Sequence, residues 1–197
     1  MYFHFGGVIK NVKRGKIYYD GRNFAKNSID VLRKIGNTIE SPSYYSHLTA
    51  YENLKYLDIL YNCGEDRINE VLSIVNLDNV GNKKAREFSS GMKQRLSIAL
   101  ALFNDPDILI LDEPLNGLDP EGVYDMRQLI IRLQNEGKTI FLSSHILSEI
   151  EKVCTHIGIL NHGKLIYQGS IQSLMTEVPN VRDLESVFLS LTKNETK

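Results

Sequence analysis

Short apolar runs alternate along this chain with longer segments in which apolar residues recur at helical spacing. Residues 108–111 are all apolar and predict a buried strand, and residues 138–145 predict a second strand that ends at His145. The segment between them is typical of an amphipathic helix, with an inward-facing stripe formed by Val123, Met126, Leu129, Ile130 and Leu133. Strands separated by such helices predict an α/β fold with a mostly parallel sheet.

Two helices carry residues that favour a helix start. Thr49 is followed three positions later by Glu52, which predicts a capping box. Ser89 or Ser90 can cap a helix that continues to about Phe103. The chain has no internal repeats, low-complexity tracts or linker, so we expect residues 1–197 to form a single domain.

Composition excludes several classes of protein. The net charge of −1 gives no indication of a surface that binds nucleic acid. The longest apolar stretch, residues 96–103, is much shorter than the roughly 18 residues that span a bilayer. The first residues lack the order of a signal peptide, and Cys63 and Cys154 match no metal or disulfide spacing. We expect an intracellular protein that reaches a membrane only through a partner.

Two adjacent carboxylates, Asp112 and Glu113, follow the apolar run of residues 108–111. In an open α/β sheet, ligands bind beyond the carboxyl ends of the strands, and His145 ends another predicted strand. Asp112 could hold Mg²⁺, Glu113 could align or deprotonate a water, and His145 could touch an outer phosphate. Taken singly, the carboxylates could also be an acidic turn, and His145 a capping or structural residue.

The order of these motifs resembles the nucleotide-binding domain of ATP-binding cassette (ABC) transporters over nearly the whole chain. Residues 88–102 resemble the signature motif, residues 108–114 the Walker B strand, residues 115–120 the D-loop, residues 141–154 the switch region and residues 35–54 the Q-loop region. The resemblance implies a P-loop NTPase-like ABC cassette. Helices would lie on both faces of its sheet, and residues 41–105 would form a helical signature subdomain.

The resemblance also implies a mechanism, with ATP and Mg²⁺ as cofactors. Glu113 and His145 would be catalytic, Asp112 and Glu40 would contact the metal, and the nucleotide would be bound by a larger set that comprises Ser89, Ser90, Gly91, Met92, Asp119 and Glu40. Two such domains would close head to tail around two ATP molecules. They would drive a separate membrane permease from the inner face of the membrane, and no nucleic acid would take part.

Two residues depart from the family pattern. Glu40 stands where the Q-loop usually has Gln, which resembles the subset that exports or resists bacitracin and lantibiotic peptides. Drift at a tolerant position is the alternative explanation. Met92 replaces the usual Gln of the signature motif, which is a milder change.

The phosphate-binding P-loop is not found in the printed sequence. The only Gly-Lys-Thr, at residues 137–139, has Arg132 where the motif needs its first Gly, and it follows a helix instead of a strand. We therefore expect an N-terminally truncated cassette that binds ATP poorly. A late start, a truncated gene and a partial product remain open as explanations.

Three functions compete at this point. The first is the ATPase subunit of an ABC exporter, for a peptide antibiotic or similar amphiphile. The second is a non-catalytic remnant or interaction module that still docks on a membrane partner. The third, an ABC ATPase of DNA repair or translation, is disfavoured because such proteins usually carry long insertions or paired cassettes.

Overall fold

The computed structural model describes residues 15–26, 28–38, 44–177 and 182–193. The chain divides into two compact units, the first ending at Ser143 and the second beginning at Ser144. None of the helices in these described ranges is long and apolar enough to cross a bilayer.

The first unit is built around three parallel strands, in which residues 108–112 lie between residues 35–38 and residues 139–143. A two-stranded antiparallel hairpin precedes them in the chain. The described residues of the first unit form five strands: β1 (Tyr18–Tyr19), β2 (Arg22–Asn23), β3 (Ile35–Thr38), β4 (Ile108–Asp112) and β5 (Thr139–Ser143). The central strand, β4, is the apolar run predicted from the sequence, and its Leu109 and Leu111 are buried. The mostly parallel sheet is therefore confirmed in this unit.

In the part of the first unit that the structure describes, five α-helices accompany this sheet: α1 (Ser28–Leu32), α2 (Ala50–Tyr61), α3 (Glu65–Ile74), α4 (Ser90–Leu102) and α5 (Pro120–Asn135). The predicted capping box of α2 is present. Thr49 Oγ1 accepts from the Glu52 N–H at 3.0 Å, and the Thr49 N–H donates to Glu52 Oε2 at 2.7 Å. The sequence predicts an apolar side of α4 formed by Leu96, Ala99, Leu100 and Phe103, of which Leu100 is only partly buried and the other three are completely buried.

Helix α4 lies very close to strand β3. A Cβ on Gly36 would collide with the carbonyl oxygen of Ala101, whose carbonyl carbon would be only 2.9 Å away. Glycine is therefore needed here because two backbones approach each other, and no larger residue fits without moving the helix or the strand.

The C-terminal end of α4 is capped by a cation from α3. Arg67 donates through Nε to the Phe103 carbonyl at 3.0 Å and through Nη2 to the Leu102 carbonyl at 2.6 Å. These bonds satisfy carbonyls that have no partner within the helix, and the positive charge suits the negative end of the helix dipole.

Two carboxylates lie at the end of the sheet where β4 begins. Asp105 accepts from Lys138 Nζ at 2.6 Å, and Arg67 Nη2 lies 3.7 Å away. Asp107 accepts from Lys34 Nζ at 3.0 Å and from the Tyr19 hydroxyl at 2.9 Å. The hydrogen bond from Lys138 lowers the pKa of Asp105, and the bond from Lys34 lowers the pKa of Asp107.

Over its described residues, 144–177 and 182–193, the second unit contains a β-hairpin and three helices: α6 (Leu147–Val153), β6 (His156–Asn161), β7 (Lys164–Ser170), α7 (Ile171–Glu177) and α8 (Leu184–Lys193). Both turn residues, His162 and Gly163, have positive φ values of 44° and 78°, as a two-residue primed turn requires. Helix α7 was not predicted from the sequence.

One boundary differs from the sequence prediction. Strand β5 ends at Ser143, two residues before the predicted end at His145. Ser143 pairs with Asp112, the last residue of β4, and the ladder between the two strands ends at this pair. Strand β5 therefore ends there as well. His145 is exposed and lies in the segment that leads into α6.

We expect Gly36→Ala to lower the free energy of unfolding by about 1–3 kcal/mol, because the added methyl group overpacks the contact between β3 and α4. Gly158→Ala is a matched control, since its Cβ would meet its nearest neighbour, Leu165 Cδ1, at an ordinary 3.5 Å. Urea unfolding of both variants measures the difference. Equal losses in the two variants would contradict the close packing.

We expect Asp105→Asn to cost less than ~1 kcal/mol at neutral pH, because the Asp105 side chain is largely exposed. The folded-state pKa is lowered, so the carboxylate contributes stability above its unfolded pKa of about 4 and loses that contribution as pH falls through the folded value. The stability difference between wild type and variant should therefore shrink on acidification. Urea unfolding at several pH values tests this. Lys138→Gln removes the other partner of the same ion pair, so it should lower the free energy of unfolding by the same amount.

Candidate functional site

The ends of three parallel strands form one edge of the first unit. Strand β3 ends at Thr38, β4 at Asp112 and β5 at Ser143. Thr38 pairs with Leu111, and Asp112 pairs with Ser143. Because paired residues of neighbouring strands direct their side chains to the same face, Asp112 and Ser143 lie side by side.

The backbone and the carboxylate of Asp112 are held from both neighbouring strands. Its N–H donates to Thr38 Oγ1 at 3.2 Å, and its Oδ1 accepts from Ser143 Oγ at 2.6 Å. No residue in the described ranges donates a hydrogen bond to Asp112 Oδ2. A half-buried carboxylate with one oxygen still available is a hard ligand of the kind that Mg²⁺ prefers.

Glu113 turns the chain sharply as the strand ends. Its φ is +46°, in the left-handed region, although it precedes Pro114. The Glu113 N–H donates to Ser143 Oγ at 3.0 Å, and its carbonyl accepts from the Asn116 N–H at 3.1 Å. A non-glycine residue in this conformation costs about 1–3 kcal/mol, and such residues concentrate at functional sites. The left-handed backbone of Glu113 therefore ends the strand directly after Asp112.

The start of α4 exposes backbone donors. Ser89 is the N-cap and its Oγ accepts from the Met92 N–H at 3.3 Å, while its carbonyl accepts from the Lys93 N–H at 2.9 Å. The N–H groups of Ser90 and Gly91 lie in the first turn, where backbone N–H groups have no hydrogen-bond partner within the helix. Unlike α2, α3 and α5, α4 carries no acidic residue in its first turn. The helix start is therefore suited to an anion.

Asp119 occupies the start of α5, where it accepts from the Gly122 N–H at 2.9 Å as the N-cap. Pro120 follows at the first helical position, which suits its fixed φ. The preceding residue, Leu118, lies close to the start of α4, since a Cβ on Gly91 would be 4.0 Å from Leu118 Cδ2. The predicted D-loop therefore adjoins the predicted signature motif.

Arg95 connects α4 to its neighbours. It donates through Nη1 to the Val75 carbonyl at 3.0 Å and through Nη2 to Asp125 Oδ2 at 2.6 Å. The first contact lies just after α3 and the second is in α5. The helix that carries the predicted signature motif is thus fixed to the helix that follows the predicted D-loop.

The structure brings only part of the predicted set together. Asp112 and Glu113 share the strand edge, whereas Ser89, Ser90, Gly91 and Met92 lie at the start of α4. Glu40 lies outside the described residues, and His145 lies in the second unit. Within the described ranges, no three His, Cys, Asp or Glu side chains cluster closely enough to hold a metal ion by themselves. The assigned roles of these residues stay predictions.

Sequence reasoning missed Thr38 and Ser143. The Thr38 hydroxyl hydrogen-bonds to Asp112, and the Ser143 hydroxyl hydrogen-bonds to both Asp112 and Glu113. Each of these two residues is the last residue of a strand beside β4. The available signal was their position, because polar residues that end neighbouring parallel strands meet at the same edge. The register that pairs Ser143 with Asp112 could not be read from the sequence.

Comparison with known proteins identifies the family. The family model described as "ABC transporter" matches residues 6–116, more than half of the chain. The chain belongs to the ABC transporter family. The ABC cassette fold that the motifs implied is thereby confirmed.

Several relatives are ATP-binding proteins of antibiotic transport. The lantibiotic transport ATP-binding protein SrtF of Streptococcus pyogenes is 44% identical over 160 residues, which are 79% of this chain and 69% of that protein. The bacitracin transport ATP-binding protein BcrA of Bacillus licheniformis is 50% identical over 162 residues, which are 81% of this chain and 53% of that protein. This chain thus spans about two thirds of the length of SrtF and about half of the length of BcrA. Within its family it is an ATP-binding subunit, like these relatives.

Solved structures of the same family share this fold. An ATP-binding subunit of an ABC transporter superposes with a TM-score of 0.78 at 27% identity, over 91% of this chain and 77% of that one. A dimeric ATP-binding cassette in a post-hydrolysis state, bound to ADP and Pi, has a TM-score of 0.69 at 26% identity, over 80% of this chain and 74% of that one. The expectation that the present ABC chain binds ATP poorly is not tested by these findings.

We expect Glu113→Gly to be as stable as wild type or more stable by up to ~1 kcal/mol, because glycine adopts positive φ without the steric cost that glutamate has there. Glu121→Gly is the matched control, since Glu121 lies in the first turn of α5, where glycine should cost about 1 kcal/mol. Urea unfolding compares the two. A loss in Glu113→Gly as large as that in the control would show that Glu113 is not strained.

Proposed function

We propose that this chain hydrolyses ATP as the ATP-binding subunit of an ABC exporter for a peptide antibiotic. The observation that carries the proposal is the strand edge that presents Asp112 and Glu113, in a chain 44–50% identical to lantibiotic and bacitracin transport ATP-binding proteins. The remnant alternative is not favoured, since these relatives are named as transport ATP-binding proteins.

The role proposed for each residue at this edge follows from the metal ion, phosphate or water that its side chain can bind. Mg-ATP, when bound, supplies the terminal phosphate and the metal that neutralises its charge. Asp112 offers Oδ2 as a ligand to the metal because Ser143 occupies its other oxygen. Glu113 would orient a water and accept its proton. The family resemblance assigns Glu40 the role of a metal ligand and His145 that of a phosphate contact.

The start of α4 serves a second copy of the chain. Ser89 and Ser90 are exposed, and the backbone N–H groups of Ser90 and Gly91 point out of the helix start, where they suit a phosphate. A head-to-tail dimer would bring this helix start to the nucleotide of the partner, with Met92 and Asp119 beside it. The similarity to a dimeric cassette bound to ADP and Pi supports this arrangement.

Coupling to transport requires an integral membrane permease. One structural neighbour, from Clostridium perfringens, is described as part of an ABC transporter complex, with a TM-score of 0.76 at 27% identity. We infer that the present chain also belongs to a transporter complex, and that it docks on a permease at the inner face of the cell membrane. The direction of transport is taken to be outward, as the resemblance to the bacitracin and lantibiotic subset implies.

We expect Glu113→Gln to reduce ATP turnover at least about 100-fold, because the amide cannot accept the proton of the attacking water. Phosphate release measures turnover in the protein expressed from its native gene, and calorimetry should find Mg-ATP binding retained. Glu121→Gln is the control, because this exposed carboxylate lies in the first turn of α5. Hydrolysis within about twofold of wild type would remove Glu113 from the reaction.

The same variant tests the transported compound. Cells that express the wild-type protein with its permease should tolerate bacitracin or a lantibiotic better than cells that express Glu113→Gln. ATP hydrolysis without any such protection would support the ATPase and reject antibiotic export.

A further inference from the structure

Ser143 uses its hydroxyl twice at the strand edge. The hydroxyl donates to Asp112 Oδ1 at 2.6 Å and accepts from the Glu113 N–H at 3.0 Å. It therefore bridges the side chain of one residue and the backbone of the next, across the ladder between β4 and β5. A hydroxyl that donates one bond and accepts another has its proton position fixed.

Burial does not require Ser143 to make these two hydrogen bonds. The side chain is exposed at the end of an edge strand of the described sheet, where water could satisfy any polar group. Both bonds go instead to the two residues that carry the proposed chemistry. The bond to the carboxylate is charge-assisted, which makes it the stronger of the two.

Each bond constrains a different property of the site. The bond to Oδ1 fixes the rotation of the Asp112 carboxylate and leaves Oδ2 as its available oxygen. The bond from the Glu113 N–H stabilises a backbone with φ of +46°, which glutamate does not favour. Loss of the hydroxyl would release both constraints at once.

We propose that Ser143 is a positioning residue that orients the Asp112 carboxylate toward the metal and holds Glu113 in its left-handed turn. The proposal rests on the proposed function for its role in catalysis, but the bridge itself does not. Groups that hydrogen-bond to a metal-binding carboxylate typically change metal affinity or activity about 10–100-fold when removed. Thr38 differs, because the hydrogen bond of its hydroxyl with Asp112 involves the backbone N–H and not the carboxylate.

The test compares Ser143→Ala with Ser143→Thr in the ¹⁵N-labelled protein expressed from its native gene. Amide hydrogen exchange by NMR reports the bridge directly, and the Mg²⁺ concentration for half-maximal ATP hydrolysis reports the orientation of Asp112. Ser143→Ala should raise both the Glu113 N–H exchange rate and the Mg²⁺ requirement about tenfold, with a smaller change in the KM for ATP. Ser143→Thr keeps the hydroxyl on a strand-favouring residue and should restore both values to within about threefold of wild type.

Thr38→Val is the matched control, since it removes the other hydroxyl at this edge. It should raise the exchange of the Asp112 N–H and leave that of the Glu113 N–H unchanged. Unchanged Glu113 exchange or an unchanged Mg²⁺ requirement in Ser143→Ala would overturn the proposal, as would a Ser143→Thr variant that behaves like Ser143→Ala. If the wild type hydrolyses no ATP, the proposed function fails, and the Glu113 exchange rate in Ser143→Ala still decides for or against the bridge.

Discussion

The parallel pairing of β4 with a strand on each side determines where the chemically important groups lie. Ladder hydrogen bonds align Asp112 with Ser143 and Leu111 with Thr38, so three strands end at nearly the same level. The two hydroxyls then lie within reach of Asp112 and Glu113. Had the ladder between β4 and β5 been displaced by one residue, Ser143 would have faced the opposite side of the sheet. The register is thus the constraint from which the geometry of the site follows.

Close packing extends this order from the sheet to α4. Gly36 allows the backbone of β3 to approach Ala101, while Arg67 and Arg95 hold α4 at its C-terminal end and along its length. Buried aliphatic residues on several sides of α4, among them Leu96, Ile98 and Leu102, remove apolar surface from water. The helix start that carries Ser89 is therefore positioned by contacts far from its own end.

The sequence predicted the elements of this fold better than their mutual placement. Apolar periodicity and capping residues located β4, α2, α4 and α5, because these signals act within a few residues. The Ser143 bridge and the Gly36 contact depend on residues about 30 and 65 positions apart, so no local pattern encodes them. Asp112 and Glu113 were predicted at the strand edge as adjacent carboxylates, but the left-handed backbone of Glu113 was not, since residues before proline usually adopt extended conformations.

The missing acidic residue in the first turn of α4 has an evolutionary consequence. Aspartate caps helices about as well as serine, and a carboxylate in the first turn adds about 0.3–1 kcal/mol of stability. A carboxylate added to the first turn of α4 would give a more stable helix, yet it would also occupy the positive helix end with the protein's own charge. If the start of α4 binds an anion as proposed, selection for stability and selection for that binding act in opposite directions on these few residues, and a stabilising carboxylate here would be lost again in a lineage that keeps the binding.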